Sequence, residues 1–216
     1  MMLRSITSIP VISQLRKDIM MRKYADRTAL KELTLAKTYQ CSRAALRNAF
    51  FKLEKEGLIT VGTNGTRYVS SLTEDDIFNL YDLRRYIELT AVKQHFSRKK
   101  KDLSGVLDSV NEIVNSQGKS LDEIIDIDSR FHRNVIGLSG NKAIDQAWDN
   151  ISDVIQAVFH LNMTSSELYE IEFLDHFTER HLALFNALMT DEGDCIAKYQ
   201  KHIEDAMNTS LKAIKK

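Results

Sequence analysis

The stretch from Leu35 to Ile59, LAKTYQCSRAALRNAFFKLEKEGLI, constrains this chain more than any other, because two helical patterns meet in it across a bare turn and a strand follows. Leu35, Ala36 and Tyr39 mark one short helix, and Gln40 and Cys41 occupy the turn. Ser42 is placed to cap a second helix whose apolar positions Leu46, Ala49, Phe50 and Leu53 recur at helical spacing until Gly57 stops it. With those residues facing a core, Arg43 and Arg47 lie i, i+4 on the outer face, near the helix's N-terminal end. Two helices, a turn and a strand are the outline of a winged helix, whose second helix pushes that end into the major groove. Arginine forks there can grip guanine edges or phosphates. The bland alternative for a basic amphipathic helix is a solvated face.

A chain of 216 residues suits one large or two modest domains, and the charge favours two. Net charge is zero, yet residues 1–70 hold thirteen Lys and Arg against five Asp and Glu, while the remainder holds seventeen against twenty-five. A basic head on an acidic body is expected when only the head meets a polyanion. Cys41 and Cys195 are the only cysteines, one in each half, so a reducing compartment and two ordinary core thiols are the expectation. No apolar run approaches the ~18 residues that span a bilayer, and Met1 to Pro10 lacks a signal peptide's apolar core. A soluble, cytoplasmic protein with no membrane partner is expected.

Val11 to Tyr24 carries Val11, Ile12, Leu15, Ile19 and Met20 at helical spacing behind Pro10, a helix entry. Leu58–Val61 and Arg67–Val69 read as strands around Gly62-Thr63-Asn64-Gly65, a hairpin with an Asn-Gly turn signal that would form the wing. Ser70–Glu74 joins the halves, and Thr73 followed by Glu74, Asp75 and Asp76 makes a good helix start. Beyond it the pattern is helical throughout, with helices near 74–97, 102–116, 120–138, 141–163, 166–190 and 192–214, broken at Gly118, Gly140-Asn141, Thr164-Ser165 and Gly193. The fold class is therefore mainly α: a winged helix-turn-helix with a small β-hairpin over 1–70, then an all-α antiparallel bundle of about six helices over 71–216.

The first half strongly resembles the winged-helix domain of the GntR family of bacterial transcription regulators. Leu35, Ala36, Ser42, Arg43, Arg47, Leu53, Glu54, Glu56, Gly57 and Leu58 meet its pattern. Three departures stand out: Ala44-Ala45 for the usual Thr-Pro, Arg47-Asn48 for Arg-Glu, and no Pro-Gly turn around Ala25 to Arg27. The resemblance implies DNA contacts from Ser42, Arg43 and Arg47 and from Thr63, Asn64 and Arg67 of the wing. A basic residue often precedes the family's wing glycine. Here it is Asn64, which shifts weight to Arg67.

Asp128 and His132 are four residues apart on one helix, roughly 40° apart around its axis, so both can face one point. His181 and His202 fall on the last two helices, which a bundle can bring alongside. One carboxylate and three imidazoles suit zinc or another first-row divalent ion, and hydrogen-bonded packing is the competing reading. Residues 74–214 look like the FCD ligand-binding domain of the FadR branch of that family. Glu74-Asp75-Asp76-Ile77 through Leu80-Tyr81-Asp82-Leu83-Arg84 and Glu88 carry the likeness, as do Asp128 to His132, Leu138-Ser139-Gly140-Asn141, Glu179-Arg180-His181 and Lys201-His202-Ile203. The resemblance implies a divalent metal, with zinc first and nickel or manganese next, held by Asp128, His132, His181 and His202. His95, His160 and His176 have no counterpart there and are read as surface or packing residues.

Arg84 matches an arginine that many members aim into the effector cavity, where its fork can take a carboxylate. The competing reading is an interhelical salt bridge, since Arg85 and Glu88 lie close by on the same helix. Phe131, Trp148, Phe159, Met163, Phe173, Phe177, Phe185 and Met189 are read as bundle core, with one or two free to wall a cavity. The expectation is a ligand-responsive regulator, acting as a repressor. As a homodimer it binds a pseudo-palindromic double-stranded DNA operator, and it senses a small organic acid. Two rivals stand beside it: a metal-dependent hydrolase, and a structural DNA-binding protein without sequence preference.

Overall fold

Each of the three helices of the head ends where the backbone turns left-handed. The computed structural model describes residues 10–99, 102–165 and 171–215, and the chain divides into two compact units at Leu72/Thr73. Helix α1 (Val11–Met20) stops short of the 11–24 span that its periodicity predicts, because Arg22 takes φ 54°. Lys23 N then donates to Asp18 O and Arg22 N to Ile19 O, the paired bonds of a Schellman close. Helix α2 (Glu32–Thr38) ends the same way at Gln40, φ 49°, and α3 (Arg43–Lys55) ends at Gly57, φ 76°. Tyr39 is thus the cap of α2 rather than part of it, and its hydroxyl donates to Asp18 at 2.6 Å.

Ser42 caps α3, accepting from Ala45 N at 3.1 Å. Leu46, Ala49, Phe50 and Leu53 are buried, packing with Leu15, Ile19, Leu35 and Leu58 as the core of the head. The Arg16 fork grips both oxygens of Glu56 at 2.7 Å and so ties α1 to the end of α3. Strands β1 (Ile59–Val61) and β2 (Arg67–Val69) pair antiparallel in the register Ile59↔Val69, around the predicted turn. One element is absent from the sequence reading. Residues 27–30 run along the other edge of β2, with Arg27 N donating to Val69 O and Leu30 N to Arg67 O.

The second unit contains α4 (Glu74–Ser97), α5 (Ser104–Val114), α6 (Leu121–Gly137), α7 (Lys142–Ser165), α8 (Ile171–Ala187) and α9 (Glu192–Ile214). Capping boxes start α4 (Thr73 with Asp76) and α6 (Ser120 with Glu123), and Asp191 caps α9. Helix α7 runs through the Thr164-Ser165 break, and residues 166–170 of the predicted 166–190 helix lie outside the described residues, as do Met1 to 9. Phe131, Trp148, Met163 and Phe177 are buried, with Phe159 and Phe185 packed against the core. Phe173 lies outside the described side chains. Met189 is a correction: it is 56% exposed, because α8 ends at Ala187 and the following turn sends Leu188 inward and Met189 out. Among the described residues no helix is long and apolar enough to cross a membrane.

Candidate functional site

In the head, Arg43 and Arg47 both project from the exposed face of α3, with side chains 60% and 57% accessible. Neither is alone. Glu32, the first residue of α2, hydrogen-bonds Arg47 and lies 3.8 Å from Arg43, and these arginines hold its carboxyl below the usual carboxylate range. Thr63 and Asn64 are exposed on the wing, where Asn64 Oδ1 accepts from Thr66 N at 2.9 Å and shapes the turn. Arg67 stacks over the Phe50 ring at 5.3 Å, which draws it partly into the head. Ser42 Oγ accepts the capping bond from Ala45 N, a bond that does not use its hydroxyl proton.

The second unit gathers ionisable groups from four helices at one buried point. Asp128 and His132 come from α6, His181 from α8, His202 from α9, and Arg84 with Glu88 from α4. Nitrogens of His132, His181 and His202 all lie within 4.8 Å of one another. His132 Nε2 is 3.3 Å from His202 Nε2, and Asp128 Oδ1 is 3.0 Å from His181 Nε2 and 3.9 Å from His132 Nε2.

Proton accounting shows what these nitrogens offer. His181 Nδ1 donates to Phe177 O at 2.8 Å, which turns Nε2 toward the Asp128 carboxylate, 3.0 Å away. His132 Nδ1 likewise donates to Glu88 Oε2 at 2.9 Å, turning Nε2 toward the cluster. Burial and then the neighbouring His132 and His181 push His202 well below its ordinary pKa. Burial alone would raise the Glu88 carboxyl, but the facing His132 and Arg84 charges outweigh it and hold it at about 2. Asp128 follows the same balance, pushed up by burial and held down more strongly by His132 and His181. Three imidazole nitrogens and a carboxylate turned toward one another in a buried site are the donor types that a divalent cation takes. This donor set fits a divalent ion, with Glu88 and the Phe177 carbonyl as the outer partners that fix two imidazole tautomers.

Arg84 forms a salt bridge within its own helix and also lines a cavity. Its Nε donates to Glu88 Oε1 at 2.6 Å, its Nη2 lies 3.0 Å from His132 Nε2, and it lines a cavity of about 200 Å³ with Asp128, His181 and His202. Arg85 pairs instead with Asp82. Phe159, Met163 and Phe177 wall the same cavity. His95 is buried, with Nε2 3.2 Å from Leu188 O, His160 sits 3.6 Å from Asp122, and His176 is exposed, all three apart from the cluster. The sequence reading misses Glu88 as the partner of His132, Glu32 as the partner of the arginines, and Tyr81, Asn162 and Arg180 on the cavity wall. Only the i, i+4 spacing of Arg84 and Glu88 carried a local signal.

Comparison with known proteins agrees with this anatomy. Residues 79–205 match the FCD domain family. The chain is 29% identical to the Nta operon transcriptional regulator of Aminobacter aminovorans over 189 residues, 86% of each chain. It is 27% identical to the gluconate operon transcriptional repressor of Bacillus licheniformis, covering 90% of this chain and 81% of that one. A solved GntR transcriptional regulator from Rhodococcus sp. RHA1 shares the fold with a TM-score of 0.67, at 23% identity over 93% of this chain and 95% of that one. A winged-helix head followed by a helical unit is the fold of such regulators, and the family and its relatives are transcriptional regulators rather than enzymes. The chain belongs to the GntR family, in its FadR-like branch with an FCD domain.

Proposed function

We propose that this regulator is a repressor that senses a small organic acid through a metal-containing helical unit. Two heads of a homodimer take the half-sites of a pseudo-palindromic operator, with Arg43, Arg47 and Arg67 meeting DNA alongside Ser42, Thr63 and Asn64. The single observation that supports the sensor reading is the convergence of His132, His181, His202 and Asp128 at one point, beside a cavity that Asp128, His181, His202 and Arg84 line. Asp128, His132, His181 and His202 would hold the ion, zinc first and nickel or manganese next. When bound, it supplies a Lewis-acidic positive charge that attracts oxygen anions. Arg84, already oriented by Glu88, offers its guanidinium to the same ligand.

For the ligand to switch the protein, it must bind the DNA-competent and DNA-incompetent arrangements unequally, and a 5- to 150-fold difference, about 1 to 3 kcal/mol, is the usual coupling. The test is a panel of small carboxylates with zinc present, read by thermal shift and then by release of the protein from its own upstream DNA. Acids should bind and release. Both effects should weaken in Arg84→Ala and His132→Ala while ligand-free operator affinity holds. Binding confined to neutral compounds, or acid binding untouched in both variants, would overturn the reading.

A further inference from the structure

Leu46, Ala49, Phe50 and Leu53 turn one side of α3 into the core of the head, and the opposite side is the one this helix can offer to a major groove. At roughly 100° per residue, Ala44, Asn48, Phe51 and Lys55 all fall within roughly 30° of the direction opposite the core, whereas Arg47 and Arg43 fall roughly 70° and 110° from it. All four are exposed. The arginines stand on the flank, where Glu32 of α2 meets them. The outermost stripe of α3 is thus uncharged from Ala44 to Phe51, in a head that holds thirteen Lys and Arg against five Asp and Glu. Phe51 closes that uncharged run and is 57% exposed. Lys55 follows one turn later, with its ammonium 4.6 Å from the centre of the Phe51 ring.

Charge grips the phosphates of DNA, but base edges are read by amides and apolar groups as well as by arginine. An asparagine amide matches adenine in the major groove, donating to N7 and accepting from N6, and a phenyl ring packs against the methyl group that marks thymine. We propose that Asn48 and Phe51 are base-reading residues that select neighbouring A·T pairs in each half-site, Asn48 at an adenine and Phe51 at a thymine methyl. This rests on operator binding through α3 and adds two specificity-determining residues to the arginines beside them. Asn48 and Phe51 are about 4.5 Å apart along the helix axis, little more than the roughly 3.4 Å step between bases of one strand, so the two meet adjacent pairs. Ala44, a turn before Asn48, is small enough to let the N-terminal end of α3 lie close to the groove floor. Lys55, a turn beyond Phe51, places its charge where the groove gives way to phosphate.

The test uses the full chain and a randomised DNA duplex library, which yields the bound sequence with no operator known beforehand. Selection on the wild type should enrich two neighbouring A·T pairs in each half-site. Exchanging the pair read by Asn48 for G·C should cost the wild type about five- to 150-fold in affinity, and Asn48→Ala should be indifferent to that exchange. Uracil in place of thymine at the neighbouring pair removes only the methyl group. It should cost the wild type about fourfold, the worth of one buried carbon, and leave Phe51→Ala unaffected. Asn48→Asp should turn the adenine preference toward cytosine, because a carboxylate accepts from the cytosine amino group. Both side chains are exposed, so each variant should melt with the wild type.

Asn48 variants that keep the wild-type base order, or that lose affinity equally on every sequence, would overturn the role of Asn48. Uracil that costs Phe51→Ala as much as the wild type would overturn that of Phe51. If the library yields no enriched sequence at all, sequence-specific operator binding itself fails, and base reading by the stripe with it. That outcome is distinct from enriched sites that lack neighbouring A·T pairs, which sink only the assignment to Asn48 and Phe51.

Discussion

Glu32 stands beside the two arginines of the exposed face of α3, so a single carboxylate sets how much of their charge meets solvent. DNA must compete with it for the Arg47 fork. Replacing Arg47 with Ala is expected to weaken operator binding by about 1 to 3 kcal/mol if the contact is a bidentate base pair. Glu32→Gln should do the reverse on unselected DNA, raising affinity and steepening the salt dependence by up to about one unit as a phosphate contact is gained. The operator-to-random ratio would fall as a result. Binding curves at two salt concentrations check both, and unchanged slopes in Glu32→Gln would show that the carboxylate leaves the arginines free. In the second unit, Glu88→Gln removes the charged acceptor that holds the His132 Nδ1 proton. Outer partners of this kind are worth about 10- to 100-fold in metal affinity, a loss readable by competition with a chelator of known strength.

At the scale of elements, local chemistry written in a few residues decides where helices begin and end. Ser42, Thr73, Ser120 and Asp191 each cap a helix with a side-chain oxygen, and Ser42 and Thr73 were legible as caps because a cap is a short-range bond. Gly57 was legible as a stop for the same reason, and its φ of 76° shows why. A Cβ added there meets nothing within 4 Å, so the cost of Gly57→Ala is backbone strain alone. Left-handed backbone costs an L-residue roughly 1 to 2 kcal/mol, and a denaturant melt of the chain should show a loss of that size in the head. A loss well above it would mean that the β1 entry moves too. Arg22 and Gln40 occupy equivalent left-handed positions without being glycine, which is why the end of α1 was misjudged. The pairing of residues 27–30 with β2 was equally illegible, because only backbone groups about forty residues apart make it.

At the scale of the whole molecule, an ion bound to the native state alone adds stability by mass action, about 2.7 kcal/mol at a hundred times its dissociation constant. Chelation should therefore lower the melting temperature, and added zinc, nickel or manganese should restore it. Elemental analysis finding no metal, together with no thermal shift on adding any of these ions, would remove the site. The sequence alone was sufficient for the mainly helical fold class with its small hairpin, because helical periodicity, caps and turn residues are all local properties. It also paired Asp128 with His132, since four residues on one helix share a face. Only the tertiary structure brought Glu88 onto His132 across 44 positions and His202 onto the same ring across 70. It alone set the Asn162 amide beside the Ser210 hydroxyl, 48 residues away. The physical reason is that a hydrogen bond depends on direction and a few tenths of an ångström, quantities that arise when helices pack and that no spacing within one helix encodes.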